Sequence, residues 1–271
     1  VKRQLLSHQR EIQDPWLLGL FVDNEIHWGD VCYLARCTVK APEDQAAKKE
    51  FVKVLKARYG TISALNLAWN AAFTSWDSLL KNRDDVPAEA DADLRNFNET
   101  IIHKYYSNIR RLFDEYAPGV LYMGCRFASE KTGANASVLA IGQKYCDVIS
   151  YNIYCHELHD FPFPEGFDMP VIVGEFHFGA MDRGMFHAGL VDVGSQQERG
   201  QAYENYVRSA LEHPNFIGTH WHQFSDQATT GRFDGENFQV GFTDCCDTPY
   251  YETIEHIRKV GYDLYDIRCR K

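Results

Sequence analysis

Long hydrophobic runs are missing from this chain, and with them the membrane-spanning class. No apolar stretch nears the roughly 20 residues that a transmembrane helix needs; the longest lies around Pro15 to Val22. A leader is missing too. Val1-Lys2-Arg3 opens directly into helix-like sequence without a starting Met, so processing or truncation upstream is expected. Basic charge is scarce: 28 Lys and Arg stand against 38 Asp and Glu, for a net charge of −10, and no basic stripe gathers locally. Such a chain repels a phosphate backbone, so neither nucleic acid nor membrane is an expected partner. The eight cysteines form no CxxC pair and no Cys/His spacing of a zinc site, so no metal and no other cofactor is expected. Cys125, Cys146 and Cys155 lie in apolar runs and read as small buried hydrophobes, while a Cys32–Cys37 disulfide stays open. Internal repeats, low-complexity tracts and linkers are also lacking, and the acidic stretch from Asp84 to Asp93 is short enough for a loop. One domain over residues 1–271 is the expectation.

What is present is a folding composition, 45% hydrophobic and 24% charged. An acidic chain rich in Tyr, Phe and Trp suits a neutral polyhydroxylated ligand, whose C–H faces stack on rings while its hydroxyls meet carboxylates and amides. Short apolar runs alternate with longer helical patterns, the mark of βα units around a parallel sheet. Five strands are expected, at Leu17 to Asp23, Val120 to Arg126, Val148 to Tyr154, Val171 to Phe176 and Ile217 to Gln223. All are nearly continuous in apolar residues, as strands buried on both faces must be, and each ends in polar residues.

The intervening helices carry their own signals. Pro42 with Glu43 and Asp44 reads as a first turn, and Ile101, Ile102, Tyr105, Ile109, Leu112, Phe113 and Tyr116 make an apolar stripe of helical period. Ser195 with Glu198 forms a capping box before a helix that Pro214 closes, Thr248 and Pro249 open the last helix, and Gly60-Thr61 begins another through Trp69. About a hundred residues separate the first two strands, more than a crossover helix needs, so a helical insertion over about 42–95 is expected. The fold class expected is α/β, and if these strands belong to a TIM (β/α)8 barrel they are only part of it. Five strands cannot close eight: this chain would supply strands 4 to 8, with the first three in an upstream segment or another polypeptide and Val1 to Gln13 as the helix before strand 4.

The first strand ends Asp23-Asn24-Glu25 and the fourth Gly174-Glu175-Phe176-His177. At the C-terminal ends of parallel strands both glutamates would face one mouth, where barrel active sites lie and where two carboxylates can flank a glycosidic bond. A single Glu after a strand is commonly a rim salt bridge; two at equivalent ends shift the balance toward catalysis. Glu175 stands in the apolar run Val171, Ile172, Val173, Phe176, Phe178, so a donor must accompany it. His177, His220 and His222 lie on two strands without HxxxH or HExxH spacing, which favours hydrogen bonding to hydroxyls over a metal.

The segments Asp14-Pro15-Trp16-Leu17-Leu18-Gly19, Val22-Asp23-Asn24-Glu25, Leu121-Tyr122-Met123-Gly124-Cys125-Arg126, the long Val173-Gly174-Glu175-Phe176-His177-Phe178-Gly179-Ala180-Met181-Asp182-Arg183-Gly184 and Gly218-Thr219-His220-Trp221 resemble glycoside hydrolase family 50, the β-agarases. The likeness continues through residues 230–237 and 247–250. Gly60-Thr61-Ile62-Ser63-Ala64-Leu65-Asn66 is similar to family 42 β-galactosidases of the same clan.

The resemblance implies a retaining hydrolase acting on β-linked galactose polysaccharide, agarose foremost, and a secreted or periplasmic protein. Glu25 would be the acid/base and Glu175 the nucleophile, with carboxyls roughly 5 to 5.5 Å apart rather than the roughly 6.5 to 9.5 Å of inversion. Asn24 would donate to a sugar hydroxyl, and Tyr154 or Tyr151 would hold the nucleophile, each with core packing as the competing reading. Trp221 would be a stacking platform. Arg126, Asn152, His177, Asp182, His220 and Gln223 complete the expected substrate-binding set; Arg183, His187, Asp226, Glu236 and Asn237 stand further out. Two alternatives stay open: a clan relative cleaving small β-galactosides, and a non-catalytic polysaccharide-binding protein or incomplete barrel.

Overall fold

Main-chain torsion angles decide where the strands of this chain stop. The computed structural model describes residues 1–128 and 135–270, which divide into two compact units. The first holds residues 1–19, 26–122 and 135–146; the second holds 20–25, 123–128 and 147–270.

The first unit is helical: α1 (Lys2–Ser7), α2 (Gln9–Ile12), α3 (Tyr33–Lys40), α4 (Ala46–Tyr59), α5 (Ile62–Trp69), α6 (Trp76–Lys81), α7 (Asp91–Tyr116) and α8 (Ala136–Gly142). α4, α5 and α6 fall inside the expected 42–95, and α7 begins within it. Gln45, not Pro42, caps α4 by accepting from the Lys48 N–H, and Thr61 caps α5 by accepting from Ala64. In α7 the buried line runs Leu94, Phe97, Ile102, Tyr106, Ile109, Phe113 at spacings of three to five. The core of this unit gathers Phe51, Leu55, Leu65, Trp69, Leu79 and Phe97. Asp93 is buried inside it because three donors meet its carboxylate: Arg58 Nη1 at 2.6 Å, Tyr59 OH at 2.6 Å and Trp69 Nε1 at 2.8 Å. Buried Lys48 ends two helices at once, donating from Nζ to the carbonyls of Ala41 and Asn82. Cys32 is buried and Cys37 exposed, both as free thiols, so the open disulfide is not formed.

The strands are β1 (Gly19–Leu20), β2 (Leu121–Tyr122), β3 (Phe127–Ala128), β4 (Ile149–Asn152), β5 (Val171–Phe176) and β6 (Phe216–Trp221). β3, β4, β5 and β6 pair in that order, each neighbour parallel to the next, and form the sheet of the second unit. Beside them residues 20–25 lie along 123–126: Met123 donates to the Leu20 carbonyl at 3.0 Å and Val22 to that of Gly124 at 2.9 Å. The expected strand through Arg126 is broken at Gly124 and Arg126, whose φ angles are 71° and 50°; the first strand is shortened the same way by Asp23 and Glu25, at 65° and 51°. Non-glycine residues in the left-handed region cost of order 1–2 kcal/mol each. Their concentration on these two adjacent segments marks a site where the chain is bent for a purpose.

α9 (Gln196–Glu212) and α10 (Tyr251–Cys269) complete the second unit. Ser195 caps α9 by accepting from Glu198 N–H, and the Glu198 carboxylate reaches Gly194 N–H instead of closing a full box. Phe176 stacks on Tyr206 of α9 at 4.1 Å, fastening sheet to helix. None of the described helices is long and apolar enough to cross a membrane.

Candidate active site

Glu175 sits on β5 with its side chain 15% exposed. That burial is tolerable because both carboxylate oxygens are met by donors: Arg126 Nη2 lies 2.7 Å from Oε1, and the Tyr154 hydroxyl lies 2.6 Å from Oε2. Arg126 can reach it because the left-handed turn at residue 126 aims its side chain under β5, where the same Nη2 also donates to the Gly174 carbonyl at 2.8 Å. Ser150 Oγ holds that turn by accepting the Arg126 N–H at 2.9 Å, and Phe21 lies beneath the guanidinium at 5.4 Å. Burial, and then the Glu175 charge, push the Tyr154 hydroxyl far above its ordinary range, so it stays protonated and donates. Tyr151 occupies the other side of β4, packed edge-on against Phe161 and tilted on Phe127.

Glu25 is presented from the facing segment. Its N–H donates to the carbonyls of Arg126 and Cys125 at 3.1 and 3.2 Å, which holds the left-handed backbone in place. Its Oε1 accepts from Asn152 Nδ2 at 2.7 Å, and the same nitrogen reaches Asn24 Oδ1 at 3.2 Å. In the β4–β5 ladder Asn152 lies opposite Glu175. One set of strand ends therefore gathers Asn24, Glu25, Arg126, Asn152, Tyr154 and Glu175.

Several expected sugar contacts are otherwise engaged. His177 is 1% exposed. Its Nδ1 bonds the His222 carbonyl at 2.9 Å and its Nε2 accepts the Leu190 N–H at 2.8 Å, so both ring nitrogens are consumed by backbone. Burial pushes its pKa down to about 4. Asp182 accepts from the backbone and side-chain nitrogens of Gln196 and so secures the first turn of α9. Trp221 stands among Phe176, Tyr203 and Phe242, with one face stacked by Phe242 at 5.1 Å and its indole N–H given to the Val240 carbonyl at 2.8 Å. One face of the expected stacking platform is thus taken by Phe242, and the side chain is half-buried. Gln223 donates to the Ser225 carbonyl. Arg126 contacts the nucleophile candidate itself. His220 remains exposed, edge-on to Phe21 at 6.0 Å, and burial and the Arg126 charge push it below its ordinary range.

Two residues of the site escaped sequence reasoning. Ser150 has no motif to reveal it. Gly174 had one, a glycine directly before the glutamate: a Cβ there would stand 2.6 Å from Arg126 Nε and 2.8 Å from Asn152 Oδ1.

Two glutamates at parallel strand ends, each steadied by amide, guanidinium or hydroxyl donors, are the equipment with which glycoside hydrolases cleave sugar linkages. Residues 5–169, more than half of the chain, match the glycoside hydrolase family 42 model, described as β-galactosidase, and the chain belongs to that group of glycoside hydrolases. Several relatives that match nearly the whole chain are named β-agarases. β-Agarase B of Vibrio sp. (strain JT0107) is 37% identical over 95% of this chain, which spans only 28% of that protein's length. The crystal structure of an agarase superposes with a TM-score of 0.89 at 37% identity, covering 99% of this chain and 40% of that one. The structure of an exo-β-agarase gives 0.89 at 35% identity, covering 98% and 38%.

Proposed function

We propose that this chain carries the catalytic carboxylates of a retaining β-agarase, and that its strands are strands 4 to 8 of a barrel whose first three lie upstream. The observation that carries the reading is the unequal treatment of the two glutamates. Glu175, half-buried with its side chain 15% exposed, is held at both oxygens by Arg126 and Tyr154, as an ionised nucleophile requires. Glu25 is exposed and held at one oxygen by Asn152, which leaves the other for proton transfer. In the first step Glu175 attacks the anomeric carbon while Glu25 protonates the departing glycosidic oxygen, which takes the bonding electron pair. In the second, Glu25 removes a proton from a water that attacks the glycosyl-enzyme and restores Glu175. Asn24 donates to a sugar hydroxyl, and His220 completes the wall on β6.

Agarose oligosaccharides are the favoured substrate class because the named relatives that match nearly the whole chain are agarases. Since agarose is an extracellular polymer, we place the protein outside the cytoplasm. The description of the matched family favours a second reading, cleavage of small β-galactosides. Protein including the upstream sequence of the natural polypeptide is assayed on agaro-oligosaccharides and on an aryl β-galactoside. The expected result is preference for the former, and loss of turnover in Glu175→Gln; preference for the aryl galactoside supports the second reading, and a fully active Glu175→Gln removes the nucleophile.

A further inference from the structure

Two side-chain atoms at the heart of the site are buried without a hydrogen-bond partner, Asn152 Oδ1 and Arg126 Nε. They converge on one spot, the position that a Cβ on Gly174 would take, at 2.8 and 2.6 Å. The Asn152 carboxamide, 1% exposed, thus has a definite sense: Oδ1 lies on the Gly174 side, where Arg126 Nε also lies, and Nδ2 points toward Glu25 and Asn24. The opposite sense would set its oxygen against Oε1 of ionised Glu25 and against Asn24 Oδ1, acceptor on acceptor.

We propose that Asn152 is a positioning residue that decides which oxygen of Glu25 carries the transferable proton and which way Asn24 presents its amide. The proposal rests on the assignment of Glu25 and Glu175 as the catalytic pair. An amide NH2 group only donates. Oε1 of Glu25, held at 2.7 Å, therefore keeps a lone pair engaged, and in the acid form the proton resides on Oε2. It is Oε2 that gives its proton to the glycosidic oxygen as the C–O bond breaks, and Oε2 that later takes a proton from the attacking water. Because Asn24 accepts with Oδ1, its own NH2 faces the other way, available to a sugar hydroxyl. Gly174 makes room for both arms of this arrangement.

Titratable groups on the elements around Glu25 include Asp23 on its own segment, Cys125 and Arg126 before β3, Tyr151 on β4 and Tyr154 after it, Glu175 on β5 and His220 on β6. Among the described residues, Asn152 is the one neutral side-chain donor bonded to Glu25. A donor on a carboxylate favours its ionised form, so removing it favours the protonated form, and a carboxylate in its place favours the protonated form further.

The test compares Asn152→Ala and Asn152→Asp with the parent, in protein that includes the upstream sequence, by pH–rate profiles on an agaro-oligosaccharide. In Asn152→Ala, kcat is expected to fall on the order of 10²-fold, a misplaced general acid losing much of its share of catalysis, with KM little changed. The alkaline limb moves to higher pH in both variants, further in Asn152→Asp, while in Asn152→Ala the acid limb stays. Asn152→Asp is of the same size as the parent residue and decides the matter if Asn152→Ala does not fold. An unmoved alkaline limb in the folded variants overturns the proposal. If Glu175→Gln is inactive while the Asn152 variants keep the parent profile, only this inference fails; if Glu175→Gln is active, the catalytic pair fails with it.

Discussion

Arg126 and Tyr154 divide the two oxygens of Glu175 between them, and their contributions are separable. Tyr154→Phe removes one donor to a charged acceptor, a bond of roughly 1.5–3 kcal/mol. The expected result is a loss of about tenfold to a hundredfold in kcat, with a thermal midpoint close to the parent's because the ring still packs edge-on to His177 at 4.7 Å. An unchanged kcat would mean that the hydroxyl serves packing alone. Gly174→Ala tests the space below the site, since the new methyl would stand 2.6 Å from Arg126 Nε. Overpacking of this kind costs roughly 1–3 kcal/mol, and activity should fall more than stability because the displaced group is the one bonded to Glu175. Glu25, Asn24 and Glu175 are legible in the sequence because polar residues closing an apolar run can only face a strand end. The engagement of Arg126 is not, since nothing local announces that residue 126 turns left-handed.

At the scale of elements, His177 joins β5 to the segments on either side of it, bonding the His222 carbonyl after β6 and the Leu190 N–H. Its folded pKa of about 4 lies below the ordinary 6.5, so the unfolded chain binds the proton first as pH falls. Its stabilising neutrality is complete above about pH 6.5 and is lost progressively toward pH 4, a contribution of about 3 kcal/mol to acid unfolding. Urea titrations at pH 7 and pH 4.5 should show that loss, and His177→Gln should flatten it; an equal slope in the variant would assign acid lability elsewhere. In the helical unit, Asp93→Ala removes the carboxylate shared by Arg58, Tyr59 and Trp69 and leaves the buried indole N–H unpaired. The expected cost, read from urea unfolding, is about 3 kcal/mol. Helix content was largely legible, through the caps at Thr61 and Ser195 and the periodicity of α7, although the stripe centres on Tyr106 rather than Tyr105. Side-chain direction along β5 and β6 was not, because register shifts between Val173 and Phe176 break simple alternation and carry Trp221 into the cluster with Tyr203.

For the whole molecule, if the substrate is the galactan proposed, a net charge of −10 favours a neutral form over a sulfated one through long-range repulsion. Relative turnover on neutral and sulfated galactan oligosaccharides should therefore favour the neutral one most at low ionic strength and converge as salt is added. The parallel pairing of β3 to β6 was legible from nearly continuous apolar runs; the shortness of β1 and β2 was not, because backbone angles rather than composition end them. The proposed function is tested most directly by an attempt to trap a covalent glycosyl-enzyme intermediate. Protein that includes the upstream sequence is incubated with a 2-deoxy-2-fluoro glycosyl fluoride of the agarose repeat, digested and analysed by mass spectrometry. The predicted result is a glycosyl adduct on the peptide containing Glu175 and none on that containing Glu25; an adduct on Glu25, or turnover by inversion with no adduct on either, would contradict the assignment of nucleophile and acid/base.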